Sequence, residues 1–100
     1  MTIRVDPENN EIRTLLELAD FRGQLVLEIG CGDGRLTWRY AGRAEHVMAI
    51  DPFAASIARA KENMPGELKN RVEFHLIAFE DFAAANEPST FDGIILSWSF

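Results

Sequence analysis

The sequence predicts a doubly wound α/β domain built on a parallel sheet. Four short apolar segments are separated by stretches in which apolar residues recur at helical spacing. The first apolar segment runs directly into a glycine-rich loop, and the second ends in an aspartate followed by a proline. Strands that alternate with helices form parallel sheets with right-handed crossovers, and this alternation predicts the class.

The amino-terminal segment predicts an amphipathic helix over residues 7–19. Asp6 suits the N-cap position and Pro7 suits the first helical position. The apolar residues that would share one face of this helix are Ile12, Leu15, Leu16 and Ala19.

The first strand is predicted at Leu25–Ile29, and its near-continuous apolar character is typical of a strand buried on both faces. Glycines follow at positions 30, 32 and 34, and a short helix is predicted over residues 35–41. Three glycines within five residues carry a large entropic cost on folding. We therefore expect a ligand at this junction, which lies at the carboxyl end of a strand and the amino end of a helix. The alternative is an ordinary glycine-rich turn.

The remaining chain predicts three more strands and two helices. The second strand covers residues 46–50 and ends at Asp51-Pro52, because proline has no N–H for a further ladder bond. The other elements are a helix over 53–63 closed by Pro65-Gly66, a strand at 72–77, a short helix at 80–85 and a fourth strand at 91–97.

The last predicted strand is followed only by Ser97-Trp98-Ser99-Phe100. Because a parallel sheet needs cover on both faces, we expect the chain to be the front part of a larger domain, or its last strand to be covered by a partner. An exposed final strand also favours self-association.

Composition and charge narrow the function classes. The hydrophobic share of 47% is ample for a core, and no apolar run approaches the roughly 20 residues that span a bilayer. The amino terminus lacks a signal-peptide pattern, so we expect a cytoplasmic protein. A net charge of −6 argues against nonspecific binding to nucleic acid. The single cysteine excludes an intrachain disulfide, and no metal site is expected, because no His/Cys cluster has zinc-ligand spacing.

Two classes of adenosine-containing ligand compete for this loop. The dinucleotide fingerprint G-x-G-x-x-G places a pyrophosphate on the helix amino end and an acid about 20 residues later on the ribose. Here the spacing is G-x-G-x-G, with Glu28 two residues before the first glycine. A carboxylate beside a pyrophosphate would be repulsive, so this class is disfavoured.

The segment Glu28-Ile29-Gly30-Cys31-Gly32-Asp33-Gly34 resembles the E/D-x-G-x-G-x-G loop of class I S-adenosylmethionine-dependent methyltransferases. The resemblance extends to Asp51 and to the strand at residues 91–96. It implies a Rossmann-like fold with strand order 3-2-1-4 in the part present. Residues 1–100 would then be an S-adenosylmethionine-binding domain that is incomplete at its carboxyl end.

The resemblance also implies roles for individual residues. Gly30 and Gly32 would let the methionine and ribose portions of S-adenosylmethionine lie against the backbone, and Glu28 would face the ammonium through water. Asp51 would accept hydrogen bonds from the ribose hydroxyls, and Pro52 or Phe53 would pack against adenine. Cys31, between the glycines, is interpreted as a small loop residue at the cofactor and not as a nucleophile.

Several of these assignments have competing interpretations. Asp51 also suits an N-cap before Phe53, and Glu28 could pair with Arg35 or Arg59. Where many members of the family have an acid after the third strand, this chain has Ala78. The adenine contact could then come from the backbone of Phe79 or from the side chains of Glu80 or Asp81. Ser97 and Trp98 are candidates to line the pocket.

The function implied by the resemblance is methyl transfer by direct displacement from S-adenosylmethionine to an acceptor. The sequence identifies neither the acceptor nor a general base. The alternatives are a non-catalytic S-adenosylmethionine-binding module and, less favoured, a nicotinamide-dependent oxidoreductase.

Overall fold

A computed structural model describes residues 2–5, 20–87 and 90–97 of the chain, with side chains described for 20–87 and 90–96. The helix predicted over residues 7–19 and the candidate Trp98 lie outside the described residues. No helix in the described ranges is long and apolar enough to cross a membrane.

Five parallel strands form one sheet. They are β1 (Thr2–Val5), β2 (Leu25–Ile29), β3 (His46–Asp51), β4 (Val72–Leu76) and β5 (Gly93–Ser97). Their order across the sheet is β1-β5-β2-β3-β4. The four strands predicted from the sequence are β2 to β5, and their observed order confirms the arrangement 3-2-1-4.

The strand β1 was not predicted. Its four residues pair in parallel with β5, with Ile3 opposite Ile95. Because β2 pairs with the other side of β5, the last strand is an interior strand of the sheet. The expected self-association through an exposed edge of this strand is therefore wrong: both edges of β5 are already paired within the chain.

Within the described residues, three short helices connect the strands: α1 (Thr37–Tyr40), α2 (Ala54–Asn63) and α3 (Phe79–Ala85), with a 3₁₀ turn at Gly66–Leu68. The helix predicted over residues 35–41 is thus only one turn long. The chain before α1 stays in the loop, where the Arg35 amide donates to Asp33 Oδ1 at 3.2 Å. So short a helix has little dipole, and any ligand site here depends on the loop backbone.

The helices cover opposite faces of the sheet. Val26, Val47 and Val72 are aligned by the strand register and lie in one buried cluster with Tyr40 of α1 and Ile57 of α2. The neighbouring residues Leu27 and Ile50 point to the other face, where they pack with Phe82 of α3. This alternation within each strand is what a sheet buried on both faces requires.

The turn from β2 into α1 is fixed by Gly34, whose φ is +89°. A Cβ on this residue would clash with Cζ2 of Trp38, because the indole covers the glycine. The same indole packs edge-on against Phe74 of β4, with ring centroids 5.6 Å apart. A side chain at position 34 would therefore strain the backbone and displace Trp38.

We predict that Gly34→Ala lowers the free energy of unfolding by roughly 2–6 kcal/mol, because overpacking and a positive φ each cost about 1–3 kcal/mol. Urea denaturation followed by tryptophan fluorescence measures the change. Gly23→Ala is the first control, since Gly23 has φ of +70° but open space around it, and it should cost less. Gly66→Ala, with open space and no positive φ, should change stability by under about 0.5 kcal/mol. Equal effects at all three positions would contradict the packing role of Gly34.

Candidate site at the tip of β2

The tips of β2 and β3 are joined by backbone hydrogen bonds. The amides of Gly30 and Cys31 both donate to the carbonyl oxygen of Ile50, at 2.9 and 3.2 Å. The glycine loop is thus attached to the neighbouring strand just before Asp51, and the two motifs that the sequence singled out meet at one edge of the sheet.

Asp51 binds the loop with its carboxylate. Oδ2 accepts the amide of Gly32 at 3.0 Å, and Oδ1 accepts the amide of Phe53 at 2.9 Å. Helix α2 has Phe53 as its N-cap, so the alternative of Asp51 as N-cap is wrong by two residues. The carboxylate instead connects the loop to the residues before the helix, and only 2% of Asp51 is exposed.

The loop offers few hydrogen-bond donors to a ligand. The amides of Gly30 and Cys31 are bound to Ile50, that of Gly32 to Asp51, and that of Gly34 to the Cys31 carbonyl at 3.1 Å. Gly30, Gly32 and Gly34 all have positive φ, at 80°, 58° and 89°. The loop backbone is half-buried at Gly30 and buried at Gly32. A ligand would therefore meet accessible glycine backbone at Gly30.

Glu28 lies beneath the loop and is fully buried. Its Oε1 accepts hydrogen bonds from the hydroxyls of Thr37, at 2.9 Å, and Tyr40, at 2.6 Å. The expected alternative of Arg35 as partner is wrong, because the Arg35 guanidinium pairs with Asp33 at 3.1 Å on the exposed side of the loop. Arg59, the other arginine considered, is exposed on α2.

The pKa of the Cys31 thiol reflects burial and the negative charges around the loop. Burial raises the pKa of its thiol above the ordinary value of 9.0, and the charges of Glu28 and Asp51 raise it further. A thiol in such surroundings stays protonated, which argues against a nucleophile. The two carboxylates give the loop a negative potential.

Exposed apolar side chains flank the loop along the same edge of the sheet. Phe53 is 66% exposed and Phe79 is 37% exposed, and Pro52 is exposed beside Phe53. The β4 tip is connected to this region because the Ile77 amide donates to the Asp51 carbonyl at 3.1 Å.

The remaining candidates lie around this edge. Ala78 precedes α3, and Glu80 and Asp81 are exposed in the first turn of that helix. Ser97 ends β5, beside the tip of β2, and its side chain lies outside the described part. Among the described residues, no three His, Cys, Asp or Glu side chains gather as a metal site would require.

Thr37 and Tyr40 are functional candidates that the sequence interpretation did not include. Their spacing of three residues on a helix places both hydroxyls on one side, toward the preceding strand. This spacing of two hydroxyl residues, on a helix that follows the strand-end carboxylate Glu28, is the sequence signal that could have identified them.

Comparison with known proteins settles the family. A family described as "Methyltransferase domain" matches residues 26–100, which include the loop, Asp51, strands β3 to β5 and all of β2 except its first residue. The chain belongs to the class I S-adenosylmethionine-dependent methyltransferases. The methyltransferase domain is similar to ubiquinone biosynthesis O-methyltransferase of Neisseria meningitidis, with 39% identity over 75 residues, which are 74% of this chain and 31% of the relative.

Two further likenesses agree with this family. Magnesium-protoporphyrin O-methyltransferase of Rhodobacter capsulatus is 39% identical over 57 residues, covering 57% of this chain and 25% of that protein. A crystal structure described as a putative S-adenosylmethionine-dependent methyltransferase from Listeria monocytogenes superimposes with a TM-score of 0.70 at 28% identity. That match covers 86% of this chain and 39% of the other. The methyltransferase domain described here therefore spans about a quarter to a third of the length of these curated relatives.

We predict that alkaline pH destabilises the protein through Cys31. Above pH 9 the unfolded chain loses the thiol proton while the folded chain keeps it, since the folded pKa is raised. The unfolded state then binds fewer protons, so the free energy of unfolding falls as pH rises, by at most about 1.4 kcal/mol per pH unit.

Urea denaturation between pH 8 and pH 10.5 tests this expectation. The control is Cys31→Ala, which removes the titrating group and should lose stability less steeply over the same range. General charge repulsion is common to both proteins and cancels in the comparison. Parallel pH profiles would contradict the buried position of the thiol.

Proposed function

We propose that this chain is the S-adenosylmethionine-binding part of a methyltransferase, and that the cofactor lies at the tip of β2. When bound, the cofactor would supply a methyl group on its sulfonium, whose carbon an acceptor would attack as S-adenosylhomocysteine leaves. The residues present hold and orient it, and no catalytic base is assigned. Positioning and exclusion of water can supply roughly 7–11 kcal/mol to such a reaction when the reactants are well held.

The observation that carries this proposal is that the loop amides already donate hydrogen bonds to groups of the protein itself. A pyrophosphate is bound by N–H groups that point at it from a loop or a helix terminus. Four amides of this loop already donate to Ile50, Asp51 and Cys31, and α1 is only one turn long. The loop therefore suits an adenosyl group without phosphate better than a dinucleotide.

The charges support the same ligand. S-adenosylmethionine carries a sulfonium and an ammonium, and the carboxylates Glu28 and Asp51 both act on the loop, as their effect on the pKa of Cys31 indicates. A cation is stabilised by such a site and a pyrophosphate is repelled. Because Glu28 is fully buried, we propose that its charge acts from beneath the loop.

The adenosine portion is assigned to Asp51 and to the aromatic side chains beside it. Each carboxylate oxygen of Asp51 accepts one backbone amide and has a further lone pair for a ribose hydroxyl. Since Asp51 is 2% exposed, a ribose reaches it only if the covering groups or the Gly32 loop move. Phe53 and Phe79, exposed on either side, are proposed to hold the adenine, and Pro52 and Glu80 complete the rim.

A second candidate is a non-catalytic module, since the residues assigned above hold and orient a cofactor and none of them is assigned as a base. A non-catalytic module would bind the cofactor without transferring its methyl group. Formation of S-adenosylhomocysteine with small-molecule, protein and nucleic-acid acceptors distinguishes the two. Turnover supports the enzyme, while binding without turnover in this chain and in a lengthened chain supports the module.

We predict that calorimetry detects binding of S-adenosylhomocysteine to the wild-type chain and no binding of NAD at the same concentration. Asp51→Asn should weaken S-adenosylhomocysteine binding by about 10-fold or more, the usual cost of losing a hydrogen bond to a charged partner. The matched control is Asp20→Asn, because Asp20 pairs with the exposed Arg22 before β2 and should leave affinity unchanged. Binding of NAD but not of S-adenosylhomocysteine would overturn the proposal.

A further inference from the structure

Two hydroxyl groups of α1 converge on a single carboxylate oxygen below the glycine loop. Thr37 Oγ1 and Tyr40 Oη lie 2.9 and 2.6 Å from Glu28 Oε1. All three residues are completely buried. Glu28 and Asp51 project from the same face of the sheet, because Glu28 is in register with Ala49, two residues before Asp51.

These hydrogen bonds determine how the carboxylate is held. A buried carboxylate is costly unless donors compensate for lost water, and hydrogen bonds to an ionised acceptor are shorter and stronger than neutral ones. Burial, the Glu28 charge and the hydrogen bond raise the pKa of the Tyr40 phenol, so it keeps its proton and donates it. The Tyr40 ring is itself fixed by Phe21, with centroids 5.0 Å apart.

We infer that Thr37 and Tyr40 are positioning residues that orient the Glu28 carboxylate toward the ammonium end of the bound cofactor. This inference rests on the proposed function. The rigid Tyr40 ring and the two hydroxyls fix Oε1 on the α1 side of Glu28. The charge then lies at a fixed place next to α1, where a low dielectric makes a carboxylate effective over several ångströms.

A purely structural role makes a different prediction. If the two hydroxyls only attach α1 to β2, their removal lowers stability and weakens every adenosine ligand alike. If they position Glu28 for the ammonium, the loss is confined to ligands that carry an ammonium. S-adenosylhomocysteine has this group, and 5′-methylthioadenosine shares its thioether and adenosine but lacks the amino-acid portion.

The test measures both ligands by calorimetry on the full chain and on three variants. Tyr40→Phe and Thr37→Val remove the hydroxyls with little change in shape, and Thr37→Ser restores one. We expect Tyr40→Phe and Thr37→Val each to weaken S-adenosylhomocysteine roughly 5- to 30-fold and 5′-methylthioadenosine less than about 2-fold. Thr37→Ser should bind both ligands within about 2-fold of the wild type. Equal weakening of both ligands, or no weakening of either, overturns the inference.

A double-mutant cycle makes the result independent of the second ligand. In a Glu28→Gln background the hydroxyls no longer meet a charge, so adding Tyr40→Phe should weaken S-adenosylhomocysteine by less than about 2-fold. A full penalty in that background overturns the inference. If Tyr40→Phe fails to fold, the Thr37→Val and Thr37→Ser pair decides by the same criteria.

Failure of this inference is distinguishable from failure of the proposed function. A wild-type chain that binds S-adenosylhomocysteine, with variants that show no ammonium-selective loss, overturns only the positioning role. A wild-type chain that does not bind S-adenosylhomocysteine overturns both.

Discussion

Backbone geometry at the tip of β2 is the constraint on which the rest of the site depends. Gly30, Gly32 and Gly34 all take positive φ, a conformation that other residues adopt only with strain. Three amides of this loop donate to the carbonyl of Ile50 and the carboxylate of Asp51, at the tip of β3. The loop therefore has accessible backbone at Gly30 but few free amide donors, which favours the proposed adenosyl sulfonium over a pyrophosphate.

The single turn of α1 holds this loop from the other side. Trp38 covers Gly34, while Thr37 and Tyr40 hold the carboxylate of Glu28. A helix of four residues is too short to be stable alone, so its conformation comes from these contacts. Packing of the loop and placement of the buried charge are therefore coupled: the same turn of helix provides both.

Much of this arrangement followed from local patterns in the sequence. The four predicted strands correspond to β2, β3 and β5 in the interior of the sheet and to β4 at its edge, and Asp51 lies at the tip predicted for it. The strand β1 was missed although Thr2-Ile3-Arg4-Val5 alternates polar and apolar residues. So short a segment becomes a strand only by pairing with β5, which is far away in the sequence. The partners of Glu28 were missed for the same reason. Which side chains reach a buried carboxylate depends on how α1 packs, and nearby arginines had been the simpler expectation.

We propose that the tip of β2 binds an adenosyl sulfonium and not a phosphate ligand. The most direct test is a crystal structure of the chain with S-adenosylhomocysteine. We expect the thioether and ribose to lie against the loop at Gly30, with ribose hydroxyls within about 3 Å of the Asp51 carboxylate and the ammonium on the Glu28 side of the loop. A ligand bound elsewhere on the sheet, with the loop and Asp51 unchanged and untouched, would contradict it.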